Sequence, residues 1–539
     1  MSMLADELST CAKEPFCLEE RLEGFEQVEK KAIVAPRRYS EVSTAGMHGV
    51  EPKAIRVQVH LTTGLPAFHI VGLGDTAVKE AHRRVTAALK NSGFRVPDGV
   101  ITVNLAPARH NKSGTGFDLA IAIGILLADG VLPKGSFDHH ILVGELGLNG
   151  AVSSVRGMVG FGMLAKREGK TIVCSDTALF DGLLDVSTLE LKHLNSLHDL
   201  PELMCQQRLS LHFPSVEKSS YSCGDFYDVV GQQQAVRALT IAAAGQHNIL
   251  MVGPPGTGKT MLASRLPSIL PSLSPEELIE SALIFSVAGN PFNQHLKQRP
   301  FRSPHHSATT VAIIGGGNPI KPGEVSLAHN GVLFLDEMPQ FSRSTLQALR
   351  QPIEDNRVCV VRAQGSFTFP SSFMLVGAAN PCPCGYLGDR EKNCRCLPNQ
   401  IEQYQNRIGG PLIDRFDMFI AVPRPNPDTF FEKRGPQRKT QTSEELAQKV
   451  RDARSFAASC GRSSVHQLSR QQLCEPSMID PKALNLLRRA AHNLKLSGRS
   501  IVGTLRLART IADLNGEEIA SSAHLSEALS YRKTWSSYD

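Results

Sequence analysis

The period of apolar and polar positions changes several times along the chain, and the changes divide it. Residues 1–37 are rich in Glu and Lys and show only a short helical period, as in Leu18-Glu-Glu-Arg-Leu22, so they read as an appendage without a core. Between 38 and 207 the pattern predicts an α/β unit. Ala54-Ile-Arg-Val-Gln-Val-His-Leu61 alternates as a half-buried strand does, Thr76 to Asn91 has a helical period, and Ile101-Thr-Val-Asn-Leu105 is a further strand. Phe117 to Asp129 is an apolar helix; strands at His140–Val143 and Thr171–Cys174 flank a helix at Met158–Glu168. Residues 208–224, with Pro214 and several serines, read as a linker. From 225 to 423 strands and helices alternate again, opening at Phe226-Tyr-Asp-Val-Val-Gly-Gln232. A basic loop at 424–442 follows, and 443–535 is helical throughout.

Composition adds limits to this picture. At 539 residues the chain exceeds one core, and about 150 residues per domain suggests roughly three. A net charge of +6 permits an anionic partner without requiring one. No apolar run reaches the ~20 residues that cross a bilayer, and the first residues lack a secretory pattern, so the expectation is a cytoplasmic protein without membrane contact. Twelve cysteines in so long a chain do not form a disulfide scaffold.

The chemistry begins at Gly253-Pro254-Pro255-Gly256-Thr257-Gly258-Lys259-Thr260, directly after the apolar run Asn248-Ile-Leu-Met-Val252. Glycines at this spacing let backbone N–H groups wrap a phosphate, Lys259 reaches the outer phosphates, and Thr260 offers a hydroxyl to Mg²⁺. The expected cofactors are ATP and Mg²⁺. Gly331-Val-Leu-Phe-Leu-Asp336-Glu337 is an apolar run ending in two carboxylates, which suits Asp336 for the metal and Glu337 for the attacking water. Leu375-Val-Gly-Ala-Ala-Asn380 ends in an amide able to orient that water or read the γ-phosphate.

With these motifs the chain resembles the AAA+ ATPases, and more closely the magnesium-chelatase-like branch with the bacterial ComM/YifB family. The resemblance spans roughly 42 to 535. It includes Pro304-His-His306, Gly315-Gly-Gly317, Pro322-Gly-Glu324, Asn380-Pro-Cys-Pro-Cys-Gly385, Gly410-Pro-Leu-Ile-Asp-Arg-Phe416 and Gly503-Thr-Leu-Arg-Leu-Ala-Arg-Thr-Ile-Ala-Asp513. It implies an α/β fold: a P-loop AAA+ core at 225–423, a helical C-terminal lid domain at 443–535, and an N-terminal α/β Lon-protease-like (S5-like) domain at 38–207. It further implies a homo-hexameric ring, with Arg415 as the arginine reaching a neighbour's nucleotide and Arg506 as the lid arginine. Both roles need a permanent cation with fixed fork geometry.

Where the Lon family has its nucleophilic Ser this chain has Gly116, and Val159 stands at the position of the partner Lys. A Ser–Lys dyad needs both groups, so no peptidase activity is expected. Ser113 and Thr115 are nearby hydroxyls without an evident base. Lys79, Arg83, Arg84, Lys90 and Arg95 form either a basic face or ordinary solvated positions.

Cys382-Pro-Cys384 and Cys394-Arg-Cys396 can close a structural Zn²⁺ site of four thiolates, with four reduced thiols as the alternative. Three functions stay open. The first, implied by the resemblance, is a motor on single-stranded or branched DNA: branch migration or helicase work on recombination intermediates in natural transformation, alongside recombination proteins. Its candidate phosphate contacts are Lys321, Arg357, Arg362 and the basic Lys433, Arg434, Arg438 and Lys439. The second is the motor subunit of a magnesium chelatase, against which the Lon-like domain counts. The third, an ATP-dependent protease, is disfavoured by Gly116 and Val159.

Overall fold

The computed structural model describes residues 38–72, 74–107, 112, 114–176, 180, 189–205, 224–290, 298–362, 365–389, 391–425, 441–462 and 464–532. The expected appendage at 1–37, nearly all of the linker, most of the basic loop, including Lys433, Arg434, Arg438 and Lys439, and Ser113 lie outside the described residues.

The first unit is a seven-stranded sheet of β1 (Tyr39–His48), β2 (Glu51–Thr62), β3 (Ala67–Val71), β4 (Val100–Ala106), β5 (His140–Leu142), β6 (Thr171–Cys174) and β7 (Leu191–His193). Its order is β3-β4-β2-β1-β5-β6-β7. Alternation in β2 buries Ile55, Val57, Val59 and Leu61. Helix α1 (Thr76–Asn91) starts where Asp75 accepts the N–H of Val78 at 2.9 Å, and it buries Val78, Ala81, Val85, Ala88 and Leu89. Helix α2 (Asp118–Ala128) is buried all round, which explains its unbroken apolar run. Its buried carboxylate, Asp118, is held by Arg84 through bonds of 2.7 and 3.0 Å. Arg84 therefore leaves the expected basic face, and Arg95 pairs with Asp98. Lys79, Arg83 and Lys90 stay exposed. Strand β1 has small and polar residues and no strong pattern of its own; antiparallel pairing to β2 from Tyr39↔His60 to His48↔Glu51 makes it a strand.

The second unit runs through α4 (Gln233–Gly245), β8 (Ile249–Val252), α5 (Lys259–Arg265), α6 (Pro275–Ala288), β9 (Phe301–Arg302) and β10 (Val332–Leu335). The hairpin β11 (Arg357–Arg362) and β12 (Gly365–Pro370) precedes β13 (Met374–Ala379), α7 (Pro398–Gln405) and β14 (Met418–Ala421). Helix α3 (Met158–Glu168) of the first unit abuts α6: Gly157 N–H donates to the Ser286 carbonyl at 3.0 Å and Val159 N–H to its hydroxyl at 3.3 Å. The central sheet is wholly parallel in the order β9-β10-β13-β8-β14. Every residue of β8, β10 and β13 is buried, as a sheet covered on both faces requires. Asn248 fixes the strand entries: its side chain donates to the Arg415 carbonyl at 3.1 Å and accepts from the Leu375 N–H at 2.8 Å.

The chain ends in α8 (Ser443–Ser459), α9 (Pro481–Asn493), α10 (Gly498–Asn515) and α11 (Ser522–Ser530). These helices share one core with the sheet, since Leu507, Ala508 and Ile511 pack in the same cluster as Ile249, Met251 and Val376. Inside them Arg509, fully buried, donates to the carbonyls of Met478 and Glu518 and to Asp513 at 3.0 Å, and Arg462 reaches the same carboxylate at 2.7 Å. Removing one partner leaves the remaining charge and carbonyls buried and unpaired. Arg509→Ala is therefore expected to destabilise the C-terminal helices by about 3–5 kcal/mol in urea unfolding, whereas a change within about 0.5 kcal/mol contradicts this account.

Candidate nucleotide site

The phosphate loop leaves the carboxyl end of β8 and enters α5. Gly253 passes so near β14 that a Cβ there would lie 2.1 Å from the Val422 carbonyl oxygen, so only glycine fits. Gly256 and Gly258 take φ of 77° and 85°, the left-handed turn that points the loop amides outward. Lys259 folds over the loop, donating to the carbonyls of Gly253 and Pro254 at 2.8 and 2.9 Å and to Asn380 Oδ1 at 3.2 Å. Burial pushes its ammonium down to about 8, against the pull of Asp336 and Glu337. A buried cation whose hydrogen-bond acceptors are neutral oxygens fits a polyanionic ligand.

Beside it, Thr260 donates to Asp336 Oδ2 at 2.7 Å, and the N–H of Glu337 donates to Asp336 Oδ1 at 2.9 Å. Glu337 has φ of 48°, which lifts its carboxylate away from the strand into the open; His306 Nδ1 stands 3.8 Å from it. The hydroxyl and carboxylate of Thr260 and Asp336 are hard oxygen donors that suit Mg²⁺. Sequence reasoning missed three residues that the structure places around the site. His306 was visible as part of Pro304-His-His306 but without a role. Gln232 donates to the Thr257 carbonyl at 2.7 Å and keeps a buried Oε1 without a hydrogen-bond partner. Tyr404 on α7 is buried against the Asn380 backbone and feels Glu337; burial pushes its hydroxyl up to about 12.

The four cysteines abut the same loop. A Cβ on Gly385 would lie 2.7 Å from the Pro255 ring, so the turn containing Cys382 and Cys384 packs directly on the phosphate loop. Sulfur separations are 3.4 Å for Cys382 and Cys384, and 3.6 Å from Cys394 to each of them; all four Sγ atoms lie within 4.8 Å of one another. Tetrahedral Zn–S bonds of about 2.3 Å place sulfurs about 3.8 Å apart, so the set fits zinc. The N–H groups of Cys384 and Cys396 point at Cys396 Sγ and Cys394 Sγ, both at 3.4 Å, as amides do around thiolates.

Arg415 and Arg506 lie elsewhere. Arg415 precedes β14, at the amino end of the sheet, and pairs with Glu354, which also binds Arg499 at 2.6 Å. Burial, then the nearby Arg499, holds its guanidinium below the ordinary value. Arg506 on α10 donates to the Leu468 carbonyl at 3.2 Å, one turn from Thr510, which bonds His247 ahead of β8. Neither arginine is brought to the phosphate loop of its own chain, which opens at the carboxyl end of β8.

In the first unit, Gly116 faces Val155, and Val159 is buried against Ser286. Thr115, read from the sequence as lacking a base, donates to Glu145 at 2.5 Å. Lys321, Arg357 and Arg362 are exposed; Lys321 pairs with Gly316, and Arg362 at the hairpin tip approaches Gly316 as well. Among the described residues no helix is long and apolar enough to cross a membrane.

Family models described as magnesium chelatase subunit ChlI match residues 225–430, as subunit ChlI of Mg-chelatase residues 57–177, and as the subunit ChlI C-terminal part residues 440–532. The chain is 42% identical to competence protein ComM of Haemophilus influenzae, over 90% of this chain and 95% of that protein. It is 41% identical to the uncharacterized protein YifB of Escherichia coli, over 92% and 97% respectively. A weaker match, 24% identical over 35% of this chain and 38% of its partner, is to Lon protease 2 of Bacillus subtilis. With this coverage, and with the phosphate loop, Asp336 and Glu337 assembled at the carboxyl end of a parallel sheet, the chain belongs to the ComM/YifB family of magnesium-chelatase-like AAA+ ATPases.

Proposed function

We propose that the chain is a ring-forming ATP-driven motor acting on DNA, with each nucleotide site completed by a second copy. The separation of the arginines from the phosphate loop supports the ring, in which a second copy completes each site. Lys259, Asp336, Glu337 and Asn380 gather at one end of the sheet, and Arg415, Arg499 and Arg506 at the other. Stacking copies head to tail, as in a hexamer, presents the arginines of one copy to the loop of the next. The C-terminal helices serve as a lid whose Arg506 acts on the neighbour. The first unit is a Lon-like domain in which Gly116 and Val159 replace the dyad, so it organises or binds rather than cleaves.

Within the site, Lys259 neutralises the outer phosphates, and Gln232 braces the loop through the Thr257 carbonyl. Thr260 and Asp336 would hold Mg²⁺, which would supply charge neutralisation at the phosphates. Glu337 accepts the proton of the attacking water, Asn380 orients that water, and His306 sets the Glu337 carboxylate. Arg415 of the adjoining copy stabilises the charge that develops. Lys321 and Arg362 form one exposed cationic ridge suited to phosphate backbone. The printed name of the Haemophilus relative, a competence protein, supports DNA taken up by the cell as the substrate. Cys382, Cys384, Cys394 and Cys396 would hold zinc, which would fix the turn that buttresses Pro255.

A chelatase motor is the second reading, favoured by the descriptions of the matching models. Because one of these also covers 57–177, possession of the first domain does not separate the two readings.

The deciding measurement is ATP turnover with single-stranded, duplex and four-way-junction DNA. Stimulation by at least one, with Glu337→Gln slowing turnover by about 10²–10⁴-fold while retaining bound ATP, is expected; no binding or stimulation by any sinks the DNA reading. Lys259 gives a pH signature. Its ammonium is present below about 8 and is lost above it in the free chain, so ATP binding above that pH takes up a proton and weakens. Affinity should fall by up to about tenfold per pH unit there, and a flat profile up to about pH 9 counts against the assignment. Protein purified without chelator should carry zinc at the cysteines, and Cys394→Ser should lose that zinc together with much of the ATP affinity; unchanged zinc content would refute the site.

A further inference from the structure

A second cluster lies at the other end of β8, where the C-terminal helices meet the sheet. His247 follows α4 and is fully buried. Its Nε2 lies 2.8 Å from the Thr510 hydroxyl, and that hydroxyl donates its one proton to the Arg506 carbonyl at 3.1 Å. Thr510 then accepts from His247 Nε2–H, and in the neutral ring this leaves Nδ1 with a lone pair. That Nδ1 is buried without a hydrogen-bond partner, 3.6 Å from Asp417 Oδ2. His466, in the short helix at Val465–Gln467, gives one ring nitrogen to the Gly245 carbonyl, and its Nε2 is likewise buried without a partner.

One ring nitrogen of each imidazole and a carboxylate oxygen of Asp417 thus lie within 4.8 Å of one another. Three converging acceptors repel unless a cation stands between them. The outer partners match those of metal-bound histidines, whose second nitrogen is held by a hydroxyl or a backbone carbonyl. Gly245 is required for this closure, since a Cβ there would come within 2.3 Å of His247 Nε2 and 2.6 Å of the Thr510 hydroxyl. Of the nearby cations, Arg532 pairs with Asp417 through its other oxygen, and Arg506 is engaged elsewhere. Arg532 donates to the Phe416 carbonyl at 3.0 Å and lies 3.8 Å from Oδ1, the other oxygen of Asp417; Arg506 donates to the Leu468 carbonyl. The Asn248 N–H is the additional donor to Oδ2, at 3.1 Å.

We propose that His247, Asp417 and His466 bind a divalent transition-metal cation of the zinc class, distinct from the cysteine set and from the nucleotide's Mg²⁺. Neutral imidazoles with one carboxylate select such a cation over Mg²⁺ or Ca²⁺, which prefer all-oxygen shells. The cation joins three parts of the molecule: the end of α4, the entry to β14, and the segment packed on α10. It acts as a clamp. By holding His466 it also holds Leu468, two residues on, whose carbonyl receives Arg506.

Co²⁺ titration of the full-length chain after chelator treatment tests this. Thiolate-bound cobalt gives intense charge-transfer absorption, and a nitrogen/oxygen site gives only weak visible bands. The expected result is one equivalent of the second kind. It should be absent in His466→Ala and about 10–100-fold weaker in Thr510→Val, which removes only the hydroxyl orienting His247, with the thiolate bands unchanged in both. The unchanged thiolate signal reports that each variant is folded. Wild-type protein that takes up no cobalt outside the thiolates holds a proton at this cluster instead, and the proposal is overturned. Equal non-thiolate binding by wild type and His466→Ala, or unaltered affinity in Thr510→Val, overturns it as well.

Discussion

Parallel pairing of β8 between β13 and β14 is the constraint on which the remaining structure depends. In a parallel sheet every carboxyl end lies on one edge and every amino end on the other. The phosphate loop after β8, Asp336 and Glu337 after β10, and Asn380 after β13 are therefore forced together, although about 120 residues of chain separate the first from the last. The same geometry sends Arg415 and Asp417, ahead of β14, to the opposite edge. Asn248 sets this register from a single side chain, bonding to the chain on both neighbouring strands.

The two edges have different chemistry. At the carboxyl edge a desolvated Lys259 waits among carbonyls, a hydroxyl and a carboxylate are already bonded, and Glu337 is exposed by a left-handed backbone turn. At the amino edge Arg415 and Arg499 share Glu354, and His247 and His466 gather with Asp417. The C-terminal helices connect with the amino edge because Leu507, Ala508 and Ile511 join the core of the sheet. They are consequently coupled to the entries of the strands, while the cysteine turn is coupled to the exits through Gly385 and Pro255.

Much of this was legible from residue patterns. Helix α1 has the bounds that its period predicts, from Thr76 to Asn91, and β8, β10 and β13 are the unbroken apolar runs before the three polar motifs. Strand β1 was not legible, because partners rather than pattern make it a strand. Among the candidate cations of the first unit, Arg84 is spent on Asp118, a carboxylate that an apolar helix gives no reason to expect inside. Thr115 was under-read, since Glu145 comes to it from thirty residues away.

By itself the sequence determined the chemistry: a phosphate loop, paired acids, an amide, arginines and four clustered thiols, each fixed by residue type and short spacing. Those are local properties, written within a few residues of backbone. Tertiary structure alone decided which of these groups meet. It put Lys259 against Asn380, set His306 beside Glu337, kept Arg415 and Arg506 away from their own loop, and brought His247, Asp417 and His466 together across the base of the sheet. The physical reason is that strand order and direction, set by packing between distant segments, convert distance along the chain into position at one edge or the other.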